Sequence, residues 1–187
     1  MRPVPRGCQA GFFHGLYKVV PDDFVVEEIP AYEPSGDGSH VWMWVEKRGI
    51  STIDMLKEMS YQLGRHQKSF GIAGLKDAQS VSRQWVSMDL GDERECEDLD
   101  SDNFRVLDVS RHNNKLRLGH LRGNRFAIVL RDTKEGDLAI AQQNLAELEQ
   151  VGVPNYFGEQ RFGERGGSLD KGLEILRGDV MGAARRM

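Results

Sequence analysis

The chain has 187 residues, 39% of them hydrophobic, and 25 Lys and Arg against 29 Asp and Glu give a formal net charge of −4. This is enough for one well-cored domain, or a domain and the start of another, and it argues against wholesale disorder. The apolar runs fall short of the roughly 18–20 residues a membrane helix needs, residues 1–6 lead into no apolar signal region, and Cys8 and Cys96 are too few for a disulfide framework or a Cys-rich zinc site, so the expected setting is cytoplasmic.

Residues 16–20 and 24–29 read as short β-rich runs separated by the turn Pro21-Asp22-Asp23. Residues 40–47 alternate, with Val41, Met43 and Val45 on one face and Trp42, Trp44 and Glu46 on the other. Ser51-Thr52-Ile53-Asp54 resembles a capping box with Asp in place of Glu and opens a helix over about residues 52–65. Residues 70–73, 84–90, 104–110 and 125–131 are further strands. Asp137 is placed to cap a helix with Leu138, Ala141, Leu145 and Leu148 on one face, ended by Gly152 and Pro154. A last helix, with Leu169, Leu173 and Leu176 inward, stops at Gly178. Successive strands without intervening helices predict an α+β fold on a mixed, mainly antiparallel sheet with flanking helices.

The net charge hides an uneven distribution. Residues 89–102 carry a local −7 with almost no large apolar residue, which reads as a solvated loop. Residues 105–131 carry +6 interleaved with Leu, Val, Ile and Phe, which reads as ordered strands with one charged face. Such a face is either a phosphate-binding surface or an ordinary solvated one.

No phosphate loop is present: Gly158 to Gly163 continues with Glu164-Arg165 where the lysine would stand. The five histidines never fall at helical ligand spacing, so no metal site is expected. Two segments need a reason. Ala73-Gly74-Leu75-Lys76-Asp77 follows a strand, so a sharp turn would present Lys76 and Asp77 at the sheet edge. A carboxylate there acts as nucleophile or general base if nearby cations keep it ionised, or else merely caps a turn. Residues 152–163 gather Tyr156, Phe157 and Phe162 with three glycines, Asn155, Gln160 and Arg161. Such groups stack on and hydrogen-bond to single-stranded RNA, or fill the core of a junction loop.

In this order the segments resemble the TruD family of tRNA pseudouridine synthases. Lys18-x-x-Pro21-x-Asp23-Phe24-x-Val26-x-Glu28 is similar to its first block, and Gly36-Asp37-Gly38-Ser39-His40 to the following turn, with Ser39 where an acid is usual. Residues 73–77 with Gln84 resemble the central catalytic block. Lys115-Leu116-Arg117-Leu118-Gly119 and Gly123-Asn124-Arg125-Phe126 resemble the Asn-x-Phe block, and residues 152–163 the last one.

The resemblance implies a pseudouridine synthase-like catalytic fold and isomerisation of a uridine in tRNA, at position 13 in the D-arm region, with no cofactor and no metal. It implies Asp77 as catalytic aspartate and Lys18 and Lys76 as its basic partners. Phe126 would stack on the uracil, with Asn124, Phe24 and Glu28 shaping the pocket. Arg117, Arg122, Arg125, Asn155, Tyr156, Phe157, Gln160 and Arg161 would bind the RNA. Family members are longer, so residues 1–150 are expected to form the N-terminal part of the catalytic domain and residues 151–187 the start of an inserted one. The catalytic fold would be incomplete at the C-terminus, with an open sheet edge available for self-association. The competing reading is a non-catalytic RNA-binding fragment of such an enzyme.

Overall fold

Alternation along strand β2 (His40–Arg48) organises the molecule. Val41, Met43 and Val45 enter one apolar cluster, whereas Trp42 and Trp44 join another with Trp85, Ala73, Leu116, Tyr32 and Leu121. The computed structural model describes residues 11–89, 91–153 and 167–185. They belong to two compact units, His14–Lys134 and a second made of Met1–Phe13 with Glu135–Met187.

In the first unit, β2 is joined by β1 (Phe24–Pro30), β3 (Phe70–Ile72), β4 (Val81–Asp89), β5 (Phe104–His112) and β6 (Leu121–Ile128) in one six-stranded sheet. The spatial order is β5-β2-β4-β1-β6, with β3 also on β4. Only β1 and β4 run parallel; the other pairs are antiparallel, giving the mixed α+β architecture expected from the sequence. Strand β4 gives its whole length to β2 on one side and divides the other side. Val81–Arg83 pairs with β1 through Val25↔Val81 and Glu27↔Arg83, and β3 takes the far end through Ile72↔Val86 and Phe70↔Met88. The sheet therefore splits beside Gln84 and Trp85, and the β3–β4 loop, residues 73–80, emerges at the split.

Helix α1 (Thr52–Gln62) covers the Val41, Met43, Val45 face with Met55, Leu56 and Met59. Ser51 caps it by accepting the Asp54 N–H at 3.1 Å, but the Asp54 carboxylate takes the Ser51 hydroxyl at 2.7 Å. Aspartate is one methylene shorter than the glutamate of a full capping box. Gly71 is needed for close approach: a Cβ there would stand 2.4 Å from the Leu116 carbonyl oxygen. That segment continues past β3 with Gly119 N–H on the Ala73 carbonyl at 2.8 Å.

Several expectations change. Residues 16–20 are not a strand: Leu16 makes a lone bridge to Arg131, and Lys18 adopts φ of +57°, a left-handed conformation that interrupts extended pairing. The acidic stretch is not simply a solvated loop. Asp92 caps a short helix, α2 (Glu93–Glu97), that buries Cys96, and Leu99 follows into the core. β4 begins three residues before the expected Gln84 and β6 four before Arg125, because pairing with β1 extends both.

The basic stretch is not one free cationic face either. Arg105 pairs with Glu46, Arg111 with Glu93, Lys115 with Asp89, Arg125 with Glu27 and Arg131 with Asp23.

In the second unit α3 (Asp137–Val151), α4 (Gly167–Leu176) and α5 (Val180–Arg185) follow in order. Gly136, at φ of +93°, holds the N-cap position of α3, so Asp137 supplies first-turn charge instead of the cap. Of the stripes predicted to face inward, Leu138, Leu145, Leu173 and Leu176 are exposed, whereas Ala141 and Leu148 are half-buried.

Candidate active site

The face covered by α1 changes character along its length. Continuing the alternation of Val41, Met43 and Val45 brings Lys47 onto the same buried face, with its register partner Ser82; Gln84 is the partner of Val45. Here the core turns polar, and the β3–β4 loop is fastened to it. Gln84 Nε2 donates to the Gly74 carbonyl at 3.1 Å and its Oε1 accepts the Thr52 hydroxyl at 3.0 Å. Thr52 Oγ1 in turn accepts the Lys76 N–H at 2.9 Å.

Lys76 points inward. Its ammonium meets Glu28 Oε2 at 2.7 Å, with the two side chains only 3% and 1% exposed. The other Glu28 oxygen accepts the Trp85 N–H at 3.3 Å, so this side chain occupies the gap that no strand fills. The expectation that Lys76 is a basic partner of Asp77 is thereby corrected: adjacent residues in this extended loop project to opposite sides, and Lys76 neutralises the buried Glu28.

Asp77 projects outward, its side chain 43% exposed. Oδ1 accepts the Gln79 N–H at 2.9 Å, and Oδ2 accepts the Lys18 ammonium. The Lys18 hydrogen bond is the main reason that the Asp77 carboxyl titrates below its usual range. Desolvation opposes it, while the Gln79 N–H and the charges of Lys18 and Lys47 act in the same direction as the hydrogen bond. Asp77 is therefore an ionised, accessible carboxylate at neutral pH.

The carbonyl of the same residue is held from below. It accepts Lys47 Nζ at 2.6 Å and Ser80 Oγ at 2.7 Å. Lys47 also donates to the Ile50 carbonyl at 2.8 Å and is fully buried. Burial is the chief cause that pushes its ammonium down to about 8, with Asp77 opposing and Lys76 reinforcing.

Aromatic rings lie alongside. Lys18 Nζ lies 4.2 Å from the Phe24 ring centroid, and Phe24 contacts Phe126 at 5.8 Å between centroids. Phe126 is 53% exposed, a surface ring on edge strand β6. Asn124 stands opposite Glu28 in the β1–β6 register, with its Oδ1 shielded from solvent and without a hydrogen-bond partner. Asp77, Lys18, Phe24, Phe126, Asn124 and Glu28 thus share one end of one face.

Other expected residues lie elsewhere. Arg125 reaches Glu27 at 3.4 Å from the opposite sheet face, whereas Arg117 and Arg122 are exposed without an ion pair among the described residues. Asn155, Tyr156, Phe157, Gln160 and Arg161 fall outside the described residues. Among the described residues no cluster of three His, Cys, Asp or Glu is placed to hold a metal ion, and no helix is long and apolar enough to cross a membrane. Sequence reasoning missed Lys47, Thr52 and Ser80. For Lys47 the signal existed, because a charge at the next inward position of an alternating strand is out of place in a core.

The backbone matches a crystal structure from Methanosarcina mazei assigned as tRNA pseudouridine synthase D (TruD), with a TM-score of 0.79 and 30% identity over 91% of this chain and 40% of that one. The fold is accordingly of the TruD type. Residues 9–187 match the family model described as tRNA pseudouridine synthase D (TruD). The chain belongs to this family. Relatives named tRNA pseudouridine synthase D are 48% identical over 92% of the chain in Anaeromyxobacter sp. strain Fw109-5 and 44% identical over 91% in Syntrophotalea carbinolica. The chain spans 48% and 43% of those two proteins, less than half of either.

Proposed function

We propose that the protein carrying this chain isomerises a uridine of tRNA to pseudouridine, at position 13 in the D-arm region, with Asp77 as the reacting carboxylate. The observation that carries this reading is one ionised, accessible aspartate whose ammonium partner, Lys18, lies over the half-buried Phe24 ring, itself in contact with exposed Phe126. In the reaction the N1–C1′ bond breaks, the base turns while held, and C5 bonds to C1′; the C5 proton leaves and N1 gains one. No oxidation or group donor is involved.

The residues divide this work. Lys18 keeps Asp77 ionised and aimed. Phe126, backed by Phe24, stacks on a base that has left its helix, offsetting part of an unstacking cost of a few kcal/mol. Asn124, opposite Glu28 in the β1–β6 register, helps shape the pocket. Glu28 supports the pocket wall through Lys76 and the Trp85 amide. Arg117, Arg122 and Arg125, together with residues 155–157, 160 and 161, serve the RNA backbone and flanking bases. Residues 1–150 correspond to the catalytic part and residues 151–187 to the opening of an inserted domain.

The test is tritium release from tRNA labelled at uracil C5, comparing the wild-type protein with Asp77→Asn. Release by wild type and none by the variant supports the reading, and equal release by both overturns it. Tight, salt-sensitive tRNA binding without release from either protein would favour the non-catalytic RNA-binding alternative.

A further inference from the structure

Resting on the assignment of Asp77 as the reacting carboxylate, we propose that Lys47 is a positioning residue: it locks the Asp77 main chain to the turn that enters α1. A lysine on the inner face of a central strand is costly, since a buried ammonium normally requires a carboxylate partner. Lys47 has none. Its two hydrogen bonds go to carbonyl oxygens, Ile50 at 2.8 Å and Asp77 at 2.6 Å, from a position with no solvent exposure. The carboxylate of Glu28 is taken by Lys76, and that of Asp77 by Lys18.

The destination of those bonds defines the role. Asp77 lies in the β3–β4 loop and takes part in no strand ladder, so strand pairing does not fix its position. Ser80 holds the same carbonyl from the end of the loop, where it meets Ser82 of β4 at 2.6 Å and accepts the Gly49 N–H at 3.1 Å. Gln79 is local. Lys18 comes from a segment outside regular structure and acts on the carboxylate. Lys47 ties the Asp77 backbone directly to central strand β2 and, through Ile50, to the turn that enters the helix covering the core. It therefore sets where the carboxylate stands relative to Phe24 and Phe126 without reaching the substrate. Displacement of a reacting group by about 1 Å costs on the order of a hundredfold in rate.

The experiment compares wild type, Lys47→Met, Lys47→Arg and Asp77→Asn in the natural protein carrying this chain. It measures tritium release from C5-labelled tRNA, tRNA affinity, thermal midpoint at pH 7 and amide exchange at Gln79. Lys47→Met is expected to lower turnover about tenfold to a hundredfold. Affinity should stay within about twofold and the midpoint should not fall, while exchange at Gln79 quickens. Lys47→Arg, which keeps charge and donors, should recover part of the turnover. Wild-type turnover in Lys47→Met overturns the proposal. So does a lowered midpoint with exchange raised throughout the sheet, because the lysine then holds the fold and not the loop. Full release by Asp77→Asn would instead remove the functional reading beneath both.

Discussion

Lys18 and Asp77, 59 positions apart in sequence, meet as an ion pair in which the lysine backbone is left-handed and the aspartate is anchored through its own carbonyl. The left-handed turn brings the ammonium over Phe24 as well as onto the carboxylate, so one strained residue fixes the charge and the ring together. Lys18→Met should raise the Asp77 pKa toward its ordinary value, because the hydrogen bond that most depresses it is lost. An activity that needs the ionised carboxylate falls as pH drops through that pKa. The acid limb of the rate profile should therefore move to higher pH in the variant, and an unmoved limb would separate Lys18 from the carboxylate.

Glu28 and Lys76 are both almost wholly enclosed, and Glu28 also closes the gap in the sheet. Glu28→Gln leaves the ammonium buried without its counter-charge, and a loss of about 3–5 kcal/mol in folding stability is expected from urea unfolding. Adding Lys76→Met should recover much of that loss. A double variant no more stable than Glu28→Gln would place the damage at the Trp85 amide instead.

The Lys47 ammonium has a linkage signature. Its folded pKa is about 8 against an ordinary 10.5. Between those values the unfolded chain binds more protons, so this group's penalty is fully present below pH 8 and is relieved as pH rises toward 10.5. The stability of Lys47→Met relative to wild type should be higher at pH 7 than at pH 10 by about 2 kcal/mol. Asp77 and Lys76 are the charged neighbours that set this window, the first opposing the shift and the second adding to it. Denaturant titrations at the two pH values measure the difference.

Phe126 is exposed on an edge strand, so Phe126→Ala should change the thermal midpoint little. If the ring is a stacking platform, kcat/KM for tRNA should fall by roughly tenfold to a hundredfold, the equivalent of about 1–3 kcal/mol of stacking. A large stability loss with unchanged kcat/KM would return the residue to a packing role.

Much of the sheet was legible because alternation survives in the sequence: Val41, Met43 and Val45 declare the α1-facing side of β2, and the tryptophans declare the other. The candidate site residues were expected from their order along the chain, and Lys18, Phe24, Glu28, Asp77, Asn124 and Phe126 lie at one end of one face. Three things were hidden. The left-handed Lys18 is a conformation that an extended-looking run of Leu, Tyr and Val does not announce. The inward turn of Lys76 depends on Glu28, 48 positions earlier. The pairing of the basic strands with Glu27, Glu46 and Glu93 depends on strand order, which local pattern does not contain.

The divided edge of β4 has an evolutionary consequence. Because β1 and β3 each register on β4 independently, the length of residues 73–80 is not dictated by the sheet. A residue gained or lost there leaves the strand ladders in register, yet it carries Asp77 away from Lys18. On the role proposed for Asp77, selection on that loop's length acts on the chemistry as well as on the buried Lys76–Glu28 pair that the same loop supplies.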